Sequence, residues 1–116
     1  MKKLLLVTTI TAAFSVYTPV TKAADSIALR ICEYVSVNDS KRLRKFLKER
    51  KLKIRTIFNS FKCNGQNLLV FAAKSNALDT GELIINKLPK EIVAENMKEV
   101  ASHSAHLAAK SAARIK

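Results

Sequence analysis

The chain has no tryptophan and only two glycines, two prolines, two cysteines and two histidines in 116 residues, and its 9 acids are outnumbered by 21 lysines and arginines. Each shortage closes a route to chemistry. With glycine this scarce there is no glycine-rich phosphate loop and no Gly-x-Ser-x-Gly nucleophile elbow. The two cysteines lie too far apart for a Cys-x-x-Cys redox pair. The acids are scattered, and no pair of carboxylates is singled out for hydrolysis. His103 and His106 are three residues apart, near each other on one helix, but with only Glu99 one turn back they lack an evident third metal ligand, so both read as solvent-exposed. The chain is therefore expected not to be an enzyme, with no cofactor and no metal site.

What is present begins with a start of the secretory type. Met1-Lys2-Lys3 is positive, Leu4 to Val16 is apolar apart from four hydroxyl residues, Pro19 breaks the run, and small residues surround Ala23 and Ala24. That order of features predicts a signal peptide over residues 1–23, cleaved after Ala23 or Ala24. A membrane span needs roughly 20 apolar residues, more than this run supplies. Cleavage after Ala23 removes Lys2, Lys3 and Lys22 and no acid, which lowers the formal charge from +12 to +9. The expected destination is the periplasm, with the extracellular medium as the alternative. In an oxidising compartment Cys32 and Cys63 have one intramolecular pairing open to them, a disulfide. A loop of about 30 residues gives it a chain-entropy value of about 3–4 kcal/mol. Such a chain can build one small core.

The mature sequence reads as all-α, a small bundle of five to six helices. Ile27, Ile31, Tyr34 and Val35 recur at helical spacing, which predicts a helix over 26–36. Asn38-Asp39-Ser40 caps a second helix ending near Lys51, with Leu43, Phe46 and Leu47 as a narrow apolar stripe. Ile54, Ile57, Phe58 and Phe61 predict a third over 53–62. Asn64-Gly65 reads as a reversal between helices, made possible by positive φ at glycine. Asn67 caps the run Leu68–Ala73, and Asn76 can end it. Asp79 at N-cap with Glu82 three residues on suggests a capping box before Leu83-Ile84-Ile85. Pro89 opens one more helix with a stripe of Ile92, Val93, Met97, Val100 and Leu107. That stripe thins after Ser102, leaving the tail open to fraying. The expected domain boundaries are 24–91 for the disulfide-stapled unit and 92–116 for a basic, Ala-rich helix or tail.

Two likenesses accompany this pattern. A shift of 40 residues aligns Leu29 with Leu69, Asp39 with Asp79 and Leu43 with Leu83, as if a helix-turn-helix unit occurred twice. The segment Asn64 to Ala73, continued by Asn76 and Leu83-Ile84-Ile85, resembles an ankyrin repeat, which implies side-by-side packing of helix pairs. Over about residues 25–90, an early helix with one cysteine, a basic middle, and Cys63-Asn64-Gly65 with Leu68-Leu69 and Phe71-Ala72 resemble a family of short exported bacterial proteins known only as a domain of unknown function. That resemblance implies export and a shared small domain and assigns no functional residues.

The strongest physical feature is charge. Residues 41–62 contain ten Lys/Arg against one acid, Glu49. Lys41, Arg42, Arg44, Lys45, Lys48, Arg50, Lys51, Lys53 and Arg55 form a candidate anion-binding segment. The plainer reading is a solvated face that keeps a small domain soluble. Phe46, Phe58 and Phe61 fit a core stripe better than a base-stacking platform, and export argues against nucleic acid. The functional expectation is a periplasmic binding or accessory module for a protein partner, using a groove between helix pairs. The alternative is a cationic protein that binds an anionic envelope surface, lipopolysaccharide or acidic lipid, through Lys41–Arg55.

Overall fold

The computed structural model describes the backbone of residues 19–116 and side chains from Ser26 onward. Leu4–Val16, the apolar run of the expected signal peptide, lies outside the described residues. Among these there are seven helices and no strand. Helix α1 (Pro19–Ser36) extends seven residues earlier than the side-chain pattern alone predicts. It buries Ile31 and Val35 completely, with Ile27, Cys32 and Tyr34 packed beside them. Its end is set by Asn38 in the left-handed region (φ 58°). From there the Asn38 and Asp39 amides donate back to the Val35 and Tyr34 carbonyls at 3.0 and 2.8 Å. This is a Schellman-type stop, which Asn tolerates better than most residues.

The turn leads directly into α2 (Ser40–Glu49), whose N-cap Asp39 accepts from the Arg42 amide at 3.1 Å. Leu43, Phe46 and Leu47 are buried, Ser40 is half-buried, and the other helical positions face out. Three side chains at about 1.5–3 kcal/mol each must hold a helix that is otherwise cationic. Phe46 also meets the edge of Tyr34 at a centroid separation of 5.8 Å. A second left-handed stop follows at Lys51 (φ 56°), with the Leu52 amide on the Leu47 carbonyl at 2.8 Å.

The third helix is shorter than expected. Helix α3 is one turn, Ile54–Ile57, and Phe58 closes it. Ile54, Ile57 and Phe58 are nonetheless buried, so the three-four spacing reports burial correctly and length incorrectly. The Asn64-Gly65 reversal also differs from expectation. Both central residues have positive φ (53° and 76°), and Cys63 and Gln66 exchange hydrogen bonds of 2.8 and 3.0 Å. That is the tight hairpin turn that Asn-Gly favours, reduced to a single bridge, and it stands six residues beyond the end of α3.

Helix α4 (Leu68–Lys74) starts at Asn67, whose side chain accepts from the Val70 amide at 2.9 Å, and it buries five of its seven residues. Asn76 (φ 56°) stops it as Asn38 stops α1, with the Ala77 amide on the Ala72 carbonyl at 2.9 Å. Helices α5 (Leu78–Lys87), α6 (Lys90–His103) and α7 (Ala105–Ile115) complete the chain. Residues 92–116 thus form most of α6 and all of α7. Ser104 is the joint between them: its amide donates to the Val100 carbonyl and its hydroxyl accepts from the Leu107 amide. The histidines consequently sit on two helices rather than one, and Leu107 is fully buried instead of frayed.

The helices stack in pairs. In one layer α4 lies between α1 and α6, and in the other α5 lies between α2 and α7, with α3 also against α5. The 40-residue self-alignment is corrected by this arrangement. It sets Leu29, which is exposed, against Leu69, which is fully buried. The equivalent left-handed residues are Asn38 and Asn76, which gives a shift of 38. In that register Ile31 matches Leu69, Val35 matches Ala73, Phe46 matches Ile84 and Leu47 matches Ile85, every one buried.

The capping box at Asp79 and Glu82 is overturned as well. The N-cap of α5 is Ala77, which has no capping side chain, and Asp79 is already helical. The cap comes from the other pair: Asn38 Oδ1 accepts from the Thr80 amide at 3.0 Å, while its Nδ2 donates to Asp79 at 3.4 Å. Asn38 thus reaches across the gap to cap α5, and Glu82 takes no part in the cap. At the other end of α5, Arg114 of α7 donates to the Ile85 and Leu88 carbonyls at 3.3 and 3.0 Å, a cation at a helix C-terminus.

Candidate basic groove

Cys32 of α1 and Cys63 of the hairpin turn are joined by a disulfide with Cα atoms 5.8 Å apart. The bond anchors the segment that carries α3 to the first helix pair. Held there, α3 forms one wall of a groove whose other walls are the later halves of α2 and α5. The groove has a volume of about 550 Å³, within the ~300–1,000 Å³ usual for ligand sites.

Its rim is cationic. Arg44 and Lys48 come from α2, Lys53 and Arg55 from α3 and its start, and Lys87 from α5. Its floor is Leu47, Leu52, Ile54 and Leu83, with Asn86 the one uncharged polar side chain lining it. No acid lines it. Glu49, the lone acid of the basic segment, borders a different depression with Tyr34, Arg42 and Lys45. Among the described residues none of these five cations is paired with a carboxylate, an arrangement whose field attracts anions.

The nine residues of the basic segment therefore divide. Arg44, Lys48, Lys53 and Arg55 converge on the groove. Arg42 instead reaches Asp39 at 3.4 Å, and Arg50 lies over the Phe46 ring at 4.9 Å from its centroid. Lys41, Lys45 and Lys51 are exposed outside it. Lys87 and the floor residue Leu83 lie about thirty residues downstream of Arg55, the end of the basic segment, and no charge pattern in the sequence points to them. The burial of Leu83 was legible from its helical stripe; its place beneath the cations needs the stacking of α5 on α2.

His106 meets the Glu82 carboxylate, with Lys110 at 3.8 Å on its other oxygen. The hydrogen bond from His106 holds the Glu82 carboxyl below its ordinary value, aided by the Lys110 charge and opposed by partial burial. This cluster joins α5 to α7 on the far side of α5 from α2. Among the described residues no group of three His, Cys, Asp or Glu is placed to hold a metal ion, and no helix is long and apolar enough to cross a membrane.

The fold and groove define a small, disulfide-linked, all-α domain of stacked helix pairs with one strongly basic edge. Residues 31–95 match the family described as Protein of unknown function (DUF3718), and the chain belongs to that family. The matched stretch holds both cysteines and the whole groove, and ends before α7. No curated protein and no solved structure matches the chain. None of these comparisons supports the ankyrin resemblance.

Proposed function

We propose that the protein is exported and acts as a non-enzymatic binding or accessory module that takes an acidic protein partner in the groove between its first two helix pairs. The observation carrying this reading is the ring of Arg44, Lys48, Lys53, Arg55 and Lys87 around an apolar floor with no acid among them. The disulfide suits an oxidising compartment, the periplasm first. Fractionation of cells making a C-terminally tagged protein tests export: the expected product is periplasmic, begins at Ala24 and weighs two hydrogens less than its reduced form. A cytoplasmic, full-length, reduced product overturns it.

A second reading has its own support. Lys41, Lys45 and Lys51 are exposed beside the groove rather than in it, so the outer face of α2 can rest on acidic lipid or lipopolysaccharide. The two readings separate by which lysines matter and by whether vesicles compete.

A further inference from the structure

We infer that the groove recognises an acidic–aliphatic segment of the partner chain, with a carboxylate held between Arg44 and Arg55 and a neighbouring aliphatic side chain on the Leu47, Leu52, Ile54 and Leu83 floor. The inference rests on the binding role proposed above and specifies the chemistry of what is bound. Arg44 and Arg55 belong to different elements and both line the groove. Each presents a planar fork that matches a carboxylate through paired hydrogen bonds, which the lysines beside them cannot reproduce.

Charge alone does not describe the site. Leu47, Ile54 and Leu83 are already buried in the core, so the apolar surface the groove still offers is centred on half-buried Leu52. A pure polyanion would satisfy the rim and leave Leu52 uncovered, whereas an uncharged aliphatic segment would cover the cations without any counter-charge, a costly burial. Leu52 shows that the floor is built. The chain stops α2 with Lys51 in the left-handed conformation, and the next residue, half-buried Leu52, lines the groove. Asn86 adds an amide that can both donate to and accept from a peptide backbone. Ten residues line the groove, fewer than the roughly 20–30 a side of a standard protein interface, so its size fits a segment and not a whole globular face.

The test is fluorescence anisotropy with the purified, oxidised protein. Four probes are used: a synthetic peptide alternating Glu and Leu, an oligo-Glu peptide of equal charge, a Gln/Leu peptide of equal length, and phosphatidylglycerol vesicles as competitor. The Glu/Leu peptide should bind at least about tenfold more tightly than either control peptide. Arg44→Gln with Arg55→Gln, and separately Leu52→Ser, should each weaken it by about tenfold with helical circular dichroism retained. Lys41→Gln with Lys45→Gln should leave it unchanged. Equal binding of oligo-Glu overturns the aliphatic component and leaves the anionic reading standing, and equal binding of Gln/Leu overturns the carboxylate. Vesicle binding without peptide binding overturns the inference in favour of the lipid surface. Failure of every probe to bind overturns both the inference and the role it rests on.

Discussion

The first and last helix pairs solve the same problem in different currencies of structure. Helix α2 has three buried side chains and a surface of lysine and arginine, so its pair and the one-turn α3 beside it are secured covalently through Cys32 and Cys63. Helix α7 has two buried residues, Leu107 and Ser111, and no covalent tie. It is held by close approach and polar bonds: Leu107 over Gly81, Arg114 on the end of α5, and His106 and Lys110 on Glu82. The contrast teaches that a cationic edge cannot be cemented by more apolar surface without losing its charge. A crosslink stabilises it without touching that surface.

The largest expected effect breaks the first pair. Replacing Cys32 and Cys63 by Ala should lower the unfolding free energy by about 3–4 kcal/mol, measured by urea denaturation. A loss under 1 kcal/mol, on the order of an exposed substitution, would show that the basic edge is held by packing after all. The last pair has its counterpart at Gly81. A Cβ there would lie 2.5 Å from Leu107 Cδ1 and 2.8 Å from Cδ2, so Gly81→Ala should cost about 1–3 kcal/mol by overpacking, despite alanine being the better helix former. In a double-mutant cycle Leu107→Ala should relieve the added cost; strictly additive effects would mean that α7 does not bear on Gly81.

A smaller effect is expected where the two halves meet. Asn38→Ala removes a helix cap from α5 and a left-handed stop from α1, and should destabilise by about 1–2 kcal/mol. Asn38→Gly keeps the stop and loses the cap, so the difference between the variants separates the two roles. The smallest effect is a pH dependence at α7. The folded-state pKa of Glu82 is depressed, so its contribution is present above its ordinary value of 4.5 and is lost as pH falls through the lower folded value. The stability gap between wild type and Glu82→Gln should therefore close on acidification. A gap that is the same at pH 7 and in strong acid would assign Glu82 no role in holding α7.

Much of this architecture is legible in the residues. The stripes Ile31/Val35 and Leu43/Phe46/Leu47, the caps Asp39 and Asn67, and the pairing of the only two cysteines follow from local spacing and composition. What is not legible depends on partners distant in sequence. Asp79 and Glu82 have capping-box spacing, yet Asn38 supplies the cap from forty residues upstream, which leaves Glu82 free to meet His106. The apolar stripe reads through Ser104 because helical periodicity survives a break that a serine cap makes. Four of the groove's five cations are visible as a run of charge. Lys87 and Leu83 are not, because their place in it is set by the stacking of α5 on α2.

The asparagine that caps a helix other than its own also defines what cannot be cut apart. In arrays of interchangeable repeats each unit carries its own end groups and can be added or deleted. Here α5, the second helix of the second pair, starts on Ala77, with its Thr80 amide satisfied from the first pair's turn. A one-turn slip between the pairs would strand that donor, so Asn38 fixes their register as well as their contact. The domain resembles an array in outline and is indivisible in practice, and the groove, formed across that junction, inherits its alignment.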